Sequence, residues 1–351
     1  MKKRTPALRL RPGTPVLTRG GGQVQCGSDP RWSFVLSGLA PAEESWLEEI
    51  AERRHVTVEQ SAARCGVGVE RRDEIMAALS RAGVLVPVPG AVGVVTAPAD
   101  GAADATALGM LRPDGAGLAT LAERAGRVVG IVGLGRLGTA VALHLATAGV
   151  GGLVLSDPLP VQTTDVGLGG LRASDVGEAR DLAVQALLAE RSPRVAVRVD
   201  DDAGPDPAAL DVVVVTEPHA AHPARYQRLL GLGVPHLPVV VREADVVVGP
   251  LVRPGRSACV SCVDLAHADA DREWPALAAQ LRKTPEPTHE ATLAAVAAAT
   301  AAGQVLAQLD GHRPAAVGAC LEISLPAGIP RARPAEPHPR CGCVVLPVRA
   351  A

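Results

Sequence analysis

Near the start of the chain, apolar positions change from strand-like to helical spacing. Val16-Leu17-Thr18 and Gln23-Val24-Gln25-Cys26 flank Gly20-Gly21-Gly22, and turn residues between β-prone pieces predict a hairpin within Pro15 to Leu36. From Pro41 to Ala51, Trp46, Leu47 and Ile50 fall on one face of a helix. A second helix follows a Thr57 cap and runs to Arg64. A third, Glu70 to Ala82, carries Ile75, Met76 and Leu79 inward before Gly83 stops it. Val84-Leu85-Val86 reads as a closing strand. A hairpin, three short helices and a strand make a small winged-helix arrangement over residues 1–87.

Pro87 to Asp104 is built largely from Pro, Gly, Ala and Val without a period, so a linker is expected over 88–110 and a body over 111–351. In that body, a helical stretch near Leu118 to Arg124 precedes the apolar strand Val128 to Val132. The strand runs into Gly133-Leu-Gly135-Arg-Leu-Gly138, then a helix, Leu137 to Ala148, and a strand, Leu153 to Leu155, that ends at Ser156-Asp157. About twenty residues separate the glycines from the acid, which is the order and spacing of a nucleotide-binding βαβ unit. Alone the glycine pattern is weak; in this setting it is strong for fold. Further strands at Val212–Val215, Val239–Val241 and Val246–Val248 extend a largely parallel sheet. The expected fold class is α/β, a winged-helix domain followed by a Rossmann-like domain, with no internal repeat.

Composition narrows the function classes. The 351 residues are 47% hydrophobic, ample for two cores. A net charge of −2 and 1% aromatic residues leave neither the electrostatic footprint nor the stacking platforms of a nucleic-acid binder. Met1-Lys2-Lys3-Arg4 is basic, but Leu8-Arg9-Leu10-Arg11-Pro12 is not the continuous apolar stretch of an export signal, and a cytoplasmic location is expected. Ala291 to Leu309 has membrane length, yet it holds Thr292, Thr300, Gly303, Gln304 and Gln308. Alanine is too weakly apolar to drive insertion with those inside, so a close-packed internal helix and no membrane contact are expected.

Two cysteine knuckles, Cys259-Val-Ser-Cys262 and Cys341-Gly-Cys343, carry the clearest chemistry. Two thiolates in one tight turn, met by two from a distant turn, give the four-sulfur set of a closed structural zinc site with no position left for water or substrate. The alternative is ordinary reduced or disulfide-bonded cysteine, which also occurs singly here at Cys26, Cys65 and Cys320. The C-x-C knuckle is the weaker half, with His338 and His267 as substitutes. In a reducing compartment, paired thiols read as metal ligands.

Other positions support blander readings. His219 and His222 fit a solvated loop at a strand end. Trp274, with Asp271 and Arg272, suits an amphipathic helix covering the cysteine knuckle. Cys320, in the strand-like Ala319 to Leu325, reads as a buried thiol, and Cys26 and Cys65 have no neighbouring base to make them nucleophiles.

Gly133 to Gly138, Ala148-Gly149-Val150-Gly151, Asp157, Asp175 to Arg180 and the knuckles together resemble the ThiF/MoeB superfamily, relatives of ubiquitin-activating enzymes. More narrowly, Gly249 to Val252, Pro254-Gly255-Arg256, Cys259 to Asp264, Asp271 to Trp274 and His338 to Cys343 resemble the ThiF-like partner proteins of thiazole/oxazole-modified microcin biosynthesis. Those partners bind the leader of a precursor peptide, and the N-terminal hairpin and helices are similar to their peptide-recognition element.

The resemblance implies a nucleotide site at Gly133, Gly135, Gly138, Asp157 and Arg180, with Asp157 as the ribose acid and Arg180 where the family has a Lys. It also marks departures. Pro158-Leu159 stands where a second acid belongs, Thr164-Asp165-Val166 replaces the Asn-Arg pair, and Thr216-Glu217-Pro218 aligns poorly with the later acid. Arg is not a neutral swap for Lys, and each lost position in phosphoryl chemistry costs orders of magnitude. An adenylating fold without adenylation is expected.

The role left is leader capture by strand addition, with Val35 and Leu36 facing Ile75 and Leu79 across a groove, or else simply packing the small core. The implied partners are a precursor-peptide leader, a YcaO-type cyclodehydratase that forms azolines, and a second copy in a homodimer. ATP could still be held structurally. The alternatives are an adenylyltransferase acting on a peptide or carrier-protein carboxylate and an NAD-dependent oxidoreductase. The glycine turn and Asp157 allow the latter, but no evident acid or base for hydride transfer follows.

Overall fold

The computed structural model describes residues 8–52, 57–87, 101–167, 169–200 and 209–345. The chain divides into two compact units, 1–121 and 122–351.

In the first unit, β1 (Leu8–Leu10) is followed by an antiparallel sheet of β2 (Val16–Thr18), β3 (Gln23–Cys26) and β4 (Phe34–Ser37). Three helices come next: α1 (Pro41–Glu52), α2 (Val58–Cys65) and α3 (Val69–Arg81). Thr57 caps α2 in a reciprocal box with Gln60, as the sequence led one to expect. Strand β5 (Leu85–Pro87) pairs with β1, not with the hairpin sheet. Val24, Cys26, Leu36, Trp46, Leu47, Ile75 and Leu79 form the unit's core. Arg11 donates to the carbonyls of Gly83, Gly109 and Arg112, the last at 2.6 Å, and so ties β1 to the ends of α3 and of α4 (Ala102–Gly109).

That helix corrects the linker expectation for its last part. Ala102–Gly109 is alanine-rich and reads Ala-Ala-Asp-Ala-Thr-Ala-Leu-Gly, and alanine is the strongest intrinsic helix former. The remainder of the expected linker, 88–100, lies outside the described residues. Helix α5 (Gly117–Ala125) spans the division between the units.

The second unit is a sheet with helices on both faces. In chain order it holds β6 (Val128–Val132), α6 (Arg136–Thr147), β7 (Gly152–Ser156), α7 (Arg180–Arg191), β8 (Ala196–Val199) and β9 (Val212–Pro218). Then follow α8 (Pro223–Gly231), β10 (His236–Val241), β11 (Asp245–Val248), α9 (Val260–Ala270), α10 (Trp274–Leu281), α11 (Ala291–Leu309), β12 (Ala319–Ser324) and β13 (Arg331–Pro334). The strand order is β13-β12-β11-β10-β9-β6-β7-β8. From β8 through β10 neighbours are parallel; β11, β12 and β13 are antiparallel additions.

Strands β6, β9 and β10 read as nearly unbroken valine, leucine and isoleucine because both of their faces are covered. Helix α11 is long and apolar enough to cross a membrane by length and composition. Its Leu293, Ala294, Ala297, Ala298, Ala301, Ala302 and Val305 are instead buried in the main core, a stripe at helical spacing whose small side chains let α6 approach.

Candidate functional site

The glycine turn joins β6 to α6 because nothing larger than hydrogen fits there. Gly133 has φ +84°, and a methyl group on it would lie 2.2 Å from the Thr216 hydroxyl oxygen. One on Gly138 would lie 1.9 Å from the Gly133 carbonyl oxygen, so this glycine sets how closely α6 packs on the strand end. Asp157, just past the end of β7, accepts from the Leu134 N–H at 2.7 Å and from the Leu159 N–H at 3.2 Å. It is 5% exposed, so its carboxylate organises the turn itself.

Arg180, the first residue of α7, is buried against three carboxylates. Its Nε and Nη2 donate to Asp165 at 2.8 and 3.0 Å, its Nη1 to Asp157 at 3.4 Å and its Nη2 to Glu286 at 3.3 Å. Burial alone would lower the guanidinium's pKa; the Asp165, Glu286 and Asp157 carboxylates more than reverse this and raise it. The cation that the sequence suggested for nucleotide phosphates is therefore already neutralised.

Gly135 is the residue whose bareness lets a pyrophosphate reach the loop backbone in this fold. A methyl group there would lie 3.2 Å from Asp165 Oδ1 and 3.2 Å from Glu286 Oε1. Two of the chain's own carboxylates thus border the start of α6, where the helix dipole favours an anion. Glu286 belongs to a segment pinned at both ends. His219 Nε2 lies 2.9 Å from the Pro285 carbonyl oxygen, and Arg136 donates to the carbonyls of His289 at 3.1 Å and Val166 at 2.7 Å.

The later acid is also turned away. Glu217 accepts from the Tyr226 hydroxyl at 2.5 Å and the His222 N–H at 3.2 Å, and pairs with Arg225 at 3.2 Å. Burial raises its pKa against the effect of those partners. The neighbouring Thr216 hydroxyl bonds the Gly133 carbonyl oxygen at 2.8 Å. These residues fit magnesium-ATP poorly: Arg180 is spent on carboxylates, Arg136 in the turn already donates both Nη atoms to main-chain carbonyls, and two acids stand beside the phosphate cradle.

The four cysteines of the two knuckles converge as expected. Cys259 precedes α9, Cys262 lies in its first turn, and Cys341 and Cys343 sit at a short helical turn, Gly342–Val344. Sulfur separations are 3.8 Å for Cys259–Cys262, 3.6 Å for Cys259–Cys341 and 3.4 Å for Cys262–Cys343, and all four atoms lie within 4.8 Å of one another. A tetrahedron with metal–sulfur bonds of about 2.3 Å has edges of about 3.8 Å, so this set could hold one metal ion. Burial pushes the Cys259 thiol up to about 11 and also raises Cys343, a cost that ligation to a cation reverses. The substitutes are engaged elsewhere: His267 stacks edge-on with Trp274 at 4.7 Å, and His338 Nε2 pairs with Asp269 at 2.8 Å.

Two expectations need correction. Val35 and Leu36 are successive residues of β4 and point to opposite faces. Leu36, Ile75 and Leu79 are core residues, 9%, 2% and 0% exposed, whereas Val35 is 38% exposed. They do not line one groove. His219 is not in a solvated loop: it is buried, with φ 58°, an uncommon left-handed conformation for a side-chain-bearing residue. Sequence reasoning missed Glu286 and Arg136; only the fold brings Glu286 beside Gly135.

A doubly wound sheet with a glycine turn and a buried acid at the next strand end defines a nucleotide-binding-type α/β protein, here with a four-cysteine cluster that could hold a metal ion. The ThiF family model matches residues 117–343, and the chain belongs to the ThiF family. Among solved structures, MccB of E. coli with ATP has a TM-score of 0.70 at 17% identity, covering 96% of this chain and 99% of that one. The microcin C7 biosynthetic enzyme MccB in complex with N-formylated MccA gives 0.69 at 16% identity, covering 96% and 99%. PaaA gives 0.69 at 16%, covering 92% and 98%. At these identities the likeness is one of fold. The ubiquitin-activating enzyme E1 1 of Candida albicans (strain WO-1) is 41% identical over 73 residues, 20% of this chain and 7% of that protein.

Proposed function

We propose that this chain is a partner protein that binds the leader of a ribosomally made precursor peptide and presents it to a YcaO-type cyclodehydratase for azoline formation. Its own ThiF-type body has given up adenylation. The observation that carries this reading is the surroundings of Gly135, where Asp165 and Glu286 stand next to the phosphate cradle and Arg180 is consumed by carboxylates.

Leader capture falls to the N-terminal winged-helix domain, 1–87. Among the described residues β4 pairs with β3 alone, which leaves a strand edge that an extended peptide can join through main-chain hydrogen bonds. The MccB structures with MccA, a similar fold with a peptide partner, support this. Zinc is the metal that suits four thiolates at tetrahedral spacing, and it would be structural. Capture raises the effective concentration of the core peptide at the modifying enzyme. A cytoplasmic homodimer is part of the same proposal.

The second reading, an adenylyltransferase, is favoured by the intact geometry of Gly133 and Gly138 and by MccB having been solved with ATP. The two readings part on nucleotide dependence. Fluorescence polarisation with the labelled leader of its precursor peptide should show saturable, micromolar binding without nucleotide, unchanged within about two-fold by magnesium-ATP. Binding that requires ATP, or its absence, contradicts the proposal.

A further inference from the structure

The face of the large sheet opposite α11 carries a chamber of about 140 Å³. Alternation along the strands turns Val240, Val247 and Cys320 toward it, while Val260, Val263 and His267, at helical spacing on α9, form the other wall. Trp274 and Leu281 of α10 close one side. An apolar cavity of about 150 Å³ is large enough to take benzene.

Two of the polar groups at the chamber are arginines, each bonded to one carboxylate and with donors to spare. Arg242 uses Nε and Nη2 on Asp245, at 2.7 and 2.5 Å, and Arg333 uses Nε on Glu322 at 2.7 Å. Neither Asp245 nor Glu322 lines the chamber, while both arginines do. Among the described residues no hydrogen bond uses Arg242 Nη1 or either Nη of Arg333. His219 lines the chamber too, more than nine-tenths buried; its Nε2 donates to the Pro285 carbonyl, which leaves the neutral ring's Nδ1 an acceptor without a hydrogen bond, 3.5 Å from Glu243 Oε1. Asp264, the acid in the wall, already accepts from the Trp274 indole at 2.9 Å and from Arg282 at 3.3 Å. Burial, with Arg333 and Arg242 nearby, lowers the His267 pKa.

We propose that this chamber binds a small apolar monocarboxylate, of about the size of benzoate, with its hydrocarbon between the β10–β12 strands and α9 and its carboxylate on the free donors of Arg242 and Arg333. An apolar body matches the aliphatic walls, and a carboxylate matches the unused guanidinium donors of Arg242 and Arg333. The site is separate from the glycine turn and does not rest on the reading of the chain as a partner protein.

Titration of the full metal-loaded chain with benzoate, benzyl alcohol and benzylammonium, followed by calorimetry and by the Trp274 indole signal in NMR, tests this. Benzoate should saturate with a Kd below about 1 mM, with the neutral and cationic analogues weaker by about ten-fold or more. Arg333→Met, at a half-exposed position, should weaken benzoate about ten-fold with an unchanged circular dichroism spectrum, and Val240→Phe should fill the chamber and abolish binding. No saturable binding of benzoate to the wild-type chain, equal binding of benzyl alcohol, or an Arg333→Met affinity equal to wild type would each overturn the proposal.

Discussion

Arg180→Ala should lower the melting temperature by roughly 10 °C. The substitution leaves Asp157 and Asp165, each about 5% exposed, side by side in the interior with no cation. Breaking a buried ion pair by removing one partner costs about 3–5 kcal/mol, because the remaining charges must be desolvated or protonated. For a unit of this size each kcal/mol moves the midpoint by about 2–4 °C. Arg180→Lys keeps a charge but cannot reach Asp157, Asp165 and Glu286 with one planar fork, so an intermediate loss is expected. Differential scanning calorimetry of the three proteins reads this directly. An alanine variant melting within about 2 °C of wild type would mean that Arg180 is not the clamp the geometry describes.

Cys262→Ser, or removal of metal by a chelator, should unfold the C-terminal end of the second unit. The four sulfurs come together between the start of α9 and residues 341–343, which follow the edge strand β13, and the cluster around them buries Val247, Val252, Ala258, Cys320 and Ala335, with Leu230, Val240 and Val263 partly buried against them. So small a core does not replace a metal whose binding energy is folding energy. The expected result is one metal ion per chain in wild type, none in the variant, and a melting transition lower by about 10 °C or more. The first unit, with its own core around Trp46, Leu47 and Leu79, should keep the leader affinity proposed for it. A metal-free wild type with the same melting would remove the staple from the account.

These expectations show what the sequence could and could not disclose. The β6–α6–β7 unit was readable because its glycines are demanded by local sterics: Gly138 faces the Gly133 carbonyl, and any side chain there would collide. The cysteines were readable because a knuckle needs its ligands close in sequence. Helices α1, α2 and α3 were readable from one-sided apolar spacing and the Thr57 cap.

What escaped depends on contacts distant in sequence. Glu286 lies in a polar stretch with no motif, and its meaning comes from meeting Arg180, which is 106 residues away. Strand β13 reads Arg-Ala-Arg-Pro, an edge strand whose pairing with β12 supplies the order that its side chains do not suggest. The groove drawn through Val35, Leu36, Ile75 and Leu79 failed because apolar character alone does not distinguish the two faces of a strand.

The central claim is that a carboxylate-activating scaffold here keeps its shape while its own acids stand beside the phosphate site. ATP–pyrophosphate exchange by the purified full chain, with magnesium and the precursor peptide present, tests it most directly. The account predicts no exchange above the protein-free background. Magnesium-dependent exchange that disappears in Asp157→Ala would contradict it.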